Sequence, residues 1–166
     1  MAEKYVDIDT LKYLLYDIHN LEDLLVRDRF QDHDKESLDM FIDSVKEFAD
    51  RELFPYVKEM DEHPAYHKDG KVFVHDQVKT MMYKGGEMGL ISAPFNYEDG
   101  GMQIPFLSHT AATYILDAAN NHLPGYAGLT QGAAELIIHF ANKELNQTYV
   151  PNMLSGQWGG TMCLTE

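Results

Sequence analysis

The residues able to do chemistry in this chain are few, and most of them stand apart. Helices can hold two metal ions when each of two helices carries a Glu-x-x-His pair and the others add single glutamates. No such pair occurs, and the nearest arrangement, Glu135 with His139, sits four apart on one helix face and has no counterpart. Glu62, His63 and His67 lie close together beside Pro64, but their spacing in a loop reads as surface histidines rather than a ligand set. Cys163 is the one thiol, with His109, His122 and His139 as candidate bases elsewhere in the chain. Its apolar neighbours predict a buried, unreactive thiol. Neither Gly-x-x-x-x-Gly-Lys-[Ser/Thr] nor Gly-x-Gly-x-x-Gly is present, so no phosphate loop is expected. One compositional feature remains, the run Gly125 to Gly132, where small residues and hydroxyls open an otherwise apolar helix. Small side chains there permit close approach of either another backbone or a flat, extended ligand.

The elements that must position these groups are helical almost throughout. Ile8, Leu11, Leu14, Leu15, Ile18, Leu21 and Leu25 recur at three- and four-residue steps after Asp7 or Asp9 as N-cap, predicting one helix or two short ones joined near His19-Asn20. Residues 28–34 are polar and read as a connection. Leu38, Phe41, Ile42, Val45, Phe48, Ala49, Leu53 and Phe54 make a broad stripe on a long helix that starts near Asp34 and that Pro55 kinks or ends. The stretch from Asp61 to Gly70 is expected to be a loop, and Val78, Met81 and Met82 a short helix stopping at Gly85-Gly86. Residues 89–101 read as a structured loop. Pro105 suits the first position of a helix through Ala119, a second apolar helix runs from near Pro124 to Phe140, and a third from Lys143 to Leu154 ends at Ser155-Gly156. Beyond Trp158 the β-branched and apolar residues predict a strand, the only convincing one in the chain. A lone strand leaves its backbone groups unpaired, so its partners are expected in a C-terminal portion outside this sequence.

The chain of 166 residues is 45% hydrophobic and 24% charged, which is the balance of a globular domain. A domain of that length buries enough surface to need no disulfide or metal, and a single cysteine agrees with a reducing cytoplasm. The start Met-Ala-Glu-Lys-Tyr-Val-Asp has no basic region followed by an apolar core, so no export signal is expected, and no run is long enough for a membrane span. A formal charge of −14 repels phosphate backbones and anionic lipids, which argues against nucleic-acid partners.

With these elements in place, the residues match a known pattern. Met162-Cys163-Leu164-Thr165-Glu166 resembles the start of the flavin-binding signature of acyl-CoA dehydrogenases, in which an aliphatic strand ending Leu-Thr-Glu continues into Pro, Ala-Gly and Ser-Asp. The segments Gly125 to Glu135 and Tyr149 to Trp158 resemble the helices leading into that strand, and Leu11 to Phe30 resembles the N-terminal extension of the long subfamily. The chain departs from the family pattern at Gly100-Gly101-Met102-Gln103, where a Gly-Gly-x-Gly run is usual.

The resemblance implies an all-α N-terminal helical bundle with one short strand at its C-terminal end. Residues 1–30 would be the extension, 31–157 the helical domain and 158–166 the first strand of a β-domain that follows. It implies FAD as cofactor, with Met162, Cys163, Leu164, Thr165 and Glu166 contacting the flavin, an acyl-CoA substrate with Tyr126 and Leu129 lining the acyl tunnel, and an electron-transferring flavoprotein as acceptor. Helix faces left bare of the following portion are expected to expose a contiguous apolar patch, through which this chain would form a homo-oligomer. The family's catalytic base lies in the C-terminal domain, so no catalytic residue and no turnover are expected of this chain alone, nor retention of FAD. The rival reading is a free-standing helical module that binds a partner through an apolar groove and uses no cofactor. A self-contained module has no use for a single unpaired strand.

Overall fold

The structure, a computed structural model, describes residues 5–163. Helix α1 (Ile8–Tyr13) starts at Asp7, whose carboxylate accepts the Thr10 amide at 3.0 Å. It widens into a π turn (Leu14–Ile18) and stops where Asn20 takes a left-handed φ of 49°. Helix α2 (Glu22–Leu25) follows, so the segment is a pair of short helices joined at His19-Asn20. Lys12 ties the pair to the next helix through Asp43 at 2.9 Å, and the Tyr16 hydroxyl donates to Asp39 at 2.9 Å.

Helix α3 (Lys35–Phe48) is closed at its start by a reciprocal cap, in which Asp34 accepts the Ser37 amide and Ser37 Oγ accepts the Asp34 amide. Its stripe of Leu38, Phe41, Ile42, Val45 and Phe48 is buried. The expected continuation to Phe54 is not regular. The backbone widens to a π turn (Ala49–Leu53), tightens to a 3-10 turn at Pro55 (Phe54–Tyr56) and resumes as α4 (Val57–Glu62). Proline cannot donate, and the change of pitch turns carbonyls out of the helical ladder. Two buried side chains meet them: Gln77 Nε2 donates to the Glu52 carbonyl at 2.8 Å and Asn120 Nδ2 to the Leu53 carbonyl at 3.0 Å.

The expected loop before Gly70 is instead a hairpin, β1 (Tyr66–Lys68) paired antiparallel with β2 (Lys71–Phe73). Asp69 and Gly70 both have positive φ, 50° and 75°, which is the two-residue turn that an Asp-Gly pair favours. Tyr66 and Phe73 stack across it at 5.0 Å. Helix α5 (Gln77–Glu87) runs through Gly85-Gly86 rather than stopping there, and the left-handed Gly89 lies just beyond its end. The glycines serve packing: a Cβ on Gly86 would lie 2.2 Å from the Ser155 carbonyl oxygen, and one on Gly156 would lie 1.8 Å from that of Met82.

The loop from 89 to 104 folds back on itself, with the Ile104 amide donating to Ala93 O at 2.8 Å and the Gln103 amide to Phe95 O at 2.9 Å. The 28–34 connection is fastened to it, since Arg29 donates to Asn96 Oδ1, Gln103 Nε2 donates to the Arg29 carbonyl at 2.9 Å and a His33 ring nitrogen pairs with Met102 O at 2.9 Å. Helix α6 (Phe106–Asn120) starts one residue after Pro105. Helix α7 (Pro124–Phe140) and helix α8 (Lys143–Leu154) lie where the spacing predicts, α8 with Asn142 as its cap. Packing of α6 on α3 and of α7 on α5 and α8 closes the core, in which Leu53, Met81, Ile91, Ile115, Leu123 and Val150 are fully enclosed.

The expected strand beyond Trp158 is not formed among the described residues. Positions 159–163 run without a ladder partner, and strand geometry needs one. The fold is therefore mainly helical, and the hairpin is the sheet of the described residues. Without a sheet over it Cys163 is exposed, contrary to the burial expected of it. Among the described residues no helix is long and apolar enough to cross a membrane.

Candidate functional site

Pro124, Ala127, Gly128 and Gln131 repeat at three- and four-residue steps and so share one face of α7. Small side chains on that face keep it from filling the space against α6. The result is a cleft of about 530 Å³ between the two helices, walled on the α6 side by Phe106, His109, Thr113 and Asp117, with Met81 and Ile91 also lining it. An adjoining cavity of about 410 Å³ shares Phe106, His109, Gly128 and Gln131 and continues past Gly132 and Glu135 to Arg29, Phe30 and Phe95. The shared residues make the two cavities one groove along α6 and α7. Gly128 lies at its middle, and a Cβ there would meet nothing within 4 Å. The glycine is thus not packed against anything and simply widens the groove.

The walls are mostly apolar, with a few polar groups among them. Burial holds the His109 imidazole below its ordinary pKa, partly offset by the contact of its Nε2 with Gln131 Oε1 at 3.2 Å, so the ring is neutral at pH 7. With the amide oxygen accepting, Nε2 carries the proton. Burial raises the Asp117 carboxyl at the other end of the cleft. His109, a candidate base for Cys163 by residue type, faces Gln131 instead.

The segment after α8 lies across α7 beside this groove. The Trp158 amide donates to Asn152 O at 3.0 Å, and the Gly160 amide donates to Thr130 Oγ1 at 2.9 Å. Two residues on, the Met162 sulfur comes within 3.3 Å of where a Gly132 Cβ would stand. Since Gly132 also lines the groove, Met162 stands at the groove's edge, and both Met162 and Cys163 are exposed. Leu164, Thr165 and Glu166 lie outside the described residues.

Tyr126 and Leu129 occupy α7 positions between the groove-lining ones and remain substantially exposed. Neither lines the two cavities, which take Ala127, Gly128 and Gln131 instead. The stretch from 125 to 132 contains the groove-lining Ala127, Gly128, Gln131 and Gly132, while the face it presents depends on where α6 packs. His109 carried no local signal for its place in the groove.

Comparison with known proteins bears on this geometry. Residues 35–157 match the family "Acyl-CoA dehydrogenase, N-terminal domain". The chain is 27% identical over 160 residues, 94% of its length, to 26% of a butyryl-CoA dehydrogenase of Syntrophomonas wolfei. It is 28% identical over 129 residues, 77% of its length, to 27% of the mitochondrial long-chain specific acyl-CoA dehydrogenase of Rattus norvegicus. Among solved structures, the butyryl-CoA dehydrogenase of Megasphaera elsdenii superposes with a TM-score of 0.59 at 18% identity, covering 75% of this chain and 31% of that one. A chain from a structure of the electron transferring flavoprotein of Acidaminococcus fermentans does so with a TM-score of 0.53 at 26% identity, covering 75% and 30%. The chain thus spans about a quarter of the curated relatives it matches along most of its own length. With nearly three quarters of its residues inside the family match, and the fold in agreement, this chain belongs to the acyl-CoA dehydrogenase family, of which it forms an N-terminal domain.

Proposed function

We propose that the chain is the acyl-binding helical domain of an FAD-dependent acyl-CoA dehydrogenase that introduces a double bond between the α and β carbons of an acyl-CoA thioester. The observation that carries this reading is the meeting of two features at Gly132: an open, mainly apolar groove and the segment that resembles a flavin-binding strand. An apolar groove with few polar groups suits an alkyl chain, which it binds by removing methylenes from water at roughly 0.8 kcal/mol each.

FAD fits the segment in one observable respect. Among the described residues the backbone groups of 159–163 have no partner apart from the Gly160 amide, and the Met162 and Cys163 side chains are exposed, so an isoalloxazine ring would have both an edge to pair with and apolar atoms to cover its face. Met162 to Glu166 are the residues proposed to hold it. The flavin would accept the hydride from the β carbon. This chain's part is to bind the acyl chain, aim it at the ring and exclude water, whereas the carboxylate that takes the α proton belongs to a portion of the longer protein. An electron-transferring flavoprotein would be the electron acceptor, as the resemblance implies.

The test is Gly128→Leu in the full-length flavoenzyme, assayed with a series of acyl-CoA chain lengths and a dye acceptor. A leucine side chain would project into the middle of the groove. Short substrates should keep their kcat/KM, and longer ones should lose roughly fourfold for each methylene that no longer fits. An equal loss at every length, or none at any, would remove the groove from the acyl path.

A further inference from the structure

Thr130 is fully enclosed, at 0% exposure, on the turn of α7 that also carries Gly128 and Gln131. Its hydroxyl donates to the Tyr126 carbonyl at 2.7 Å and accepts the Gly160 amide at 2.9 Å. A hydroxyl has one proton and two lone pairs, so the bond to its own helix orients the oxygen and leaves a lone pair aimed at the crossing segment. Among the described residues this is the one backbone hydrogen bond made by residues 159–163. The segment also lies tight against α7 at this point. A Cβ on Gly160 would fall 2.6 Å from Met153 Cε, 2.8 Å from Ala133 Cβ and 3.2 Å from Thr130 Cα, so only glycine lets the amide reach the hydroxyl. The position of Met162 against Gly132 follows two residues later, from this anchor.

We propose that Thr130 is a positioning residue: its buried hydroxyl sets the height and register of the 157–163 segment on α7 and thereby the placement of the flavin-contacting residues relative to the acyl groove. The proposal rests on the functional reading above for its second half. Its first half, the anchoring of the segment, stands on the geometry alone. Threonine mid-helix is otherwise a weak choice, since alanine has the higher helix propensity.

The experiment uses the full-length holoenzyme and three variants. Thr130→Val keeps the shape and removes both hydrogen bonds, Thr130→Ser keeps the hydroxyl, and Gly160→Ala displaces the segment while leaving Thr130 intact. Deuterium uptake of the peptide spanning 157–163 is measured by mass spectrometry beside the flavin absorption spectrum, flavin dissociation and steady-state kinetics. In Thr130→Val, uptake in that peptide should rise, the flavin band should shift, flavin should dissociate about tenfold more readily and kcat should fall more than KM changes. Thr130→Ser should restore all four, and Gly160→Ala should reproduce the valine result, which keeps the test alive if the valine variant does not fold. Unchanged uptake in both Thr130→Val and Gly160→Ala overturns the proposal, as does raised uptake spread over the whole domain with an unaltered flavin spectrum. A wild-type enzyme that binds no flavin sinks the functional reading instead, and the uptake of the 157–163 peptide alone then decides whether Thr130 anchors it.

Discussion

At the scale of single residues, burial decides more than identity. His109 is an ordinary histidine by sequence, but the groove lowers its pKa from 6.5, with burial as the main cause. Its folded form therefore resists a proton that the unfolded chain accepts. Below pH 6.5 the unfolded state binds more protons, and the stability present above that value is lost as pH falls toward the depressed folded pKa. Asp117 has the opposite sign, because its raised pKa favours folding while it is protonated and withdraws that support as pH rises through the folded value. The predicted outcome is a melting temperature that climbs as pH rises toward 6.5. In His109→Gln that climb should be visibly flatter, as read from thermal unfolding followed by circular dichroism at several pH values. Identical slopes would mean the ring is accessible to protons in the folded state.

Among elements, the decisive contacts are those that pitch changes and glycines allow. The end of α8 fits against α5 because Gly86 and Gly156 carry no side chains where backbone carbonyls pass. Backbone cannot step aside as a flexible side chain can, so Gly86→Ala should destabilise by about 1 to 3 kcal/mol, the cost of overpacking. Gly125 offers the control, since a Cβ there meets nothing within 4 Å and alanine favours a helix. Gly125→Ala should leave the urea midpoint unchanged or slightly raised while Gly86→Ala lowers it. Equal effects would show that helix propensity rather than the α5 to α8 contact governs both sites. The same logic explains why the glycine pair at 85–86 misleads when read locally as a helix stop. Local spacing cannot show the turn at Ala49–Leu53 either, because its carbonyls are met by Gln77 and Asn120, each more than twenty positions away.

The whole molecule leaves one side of α7 and α8 uncovered. Leu129, Leu136 and Phe140 are exposed on α7, Phe140 at 82%, and Tyr149, Trp158 and Met162 extend the apolar surface. Contiguous apolar surface drives association, whereas a net charge of −14 opposes it until salt screens the repulsion. The isolated chain should therefore sediment as a dimer or larger species, more so at 0.5 M than at 0.05 M salt, both chosen to bracket about one Debye length of 10 Å. Phe140→Glu should shift it toward monomer. A clean monomer at high concentration and high salt would count against an associating face.

What the amino-acid order determines by itself is short-range. Apolar spacing within each segment places α3, α6, α7 and α8, Asp7 and Asp34 cap the turns three residues ahead of them, and a linear run from 162 to 166 carries the family resemblance. These rest on interactions between residues within about one helical turn, which any reader of the chain can see. Only the tertiary structure decides which face of α7 lines a groove, that Gly128 and Gln131 rather than Tyr126 and Leu129 stand in it, and that Thr130 receives the amide of Gly160 thirty positions away. The physical reason is that the rotation of a helix about its axis is set by what packs against it, and for α7 those partners include α5 and the 157–163 segment, far from it in sequence, as well as its neighbours α6 and α8.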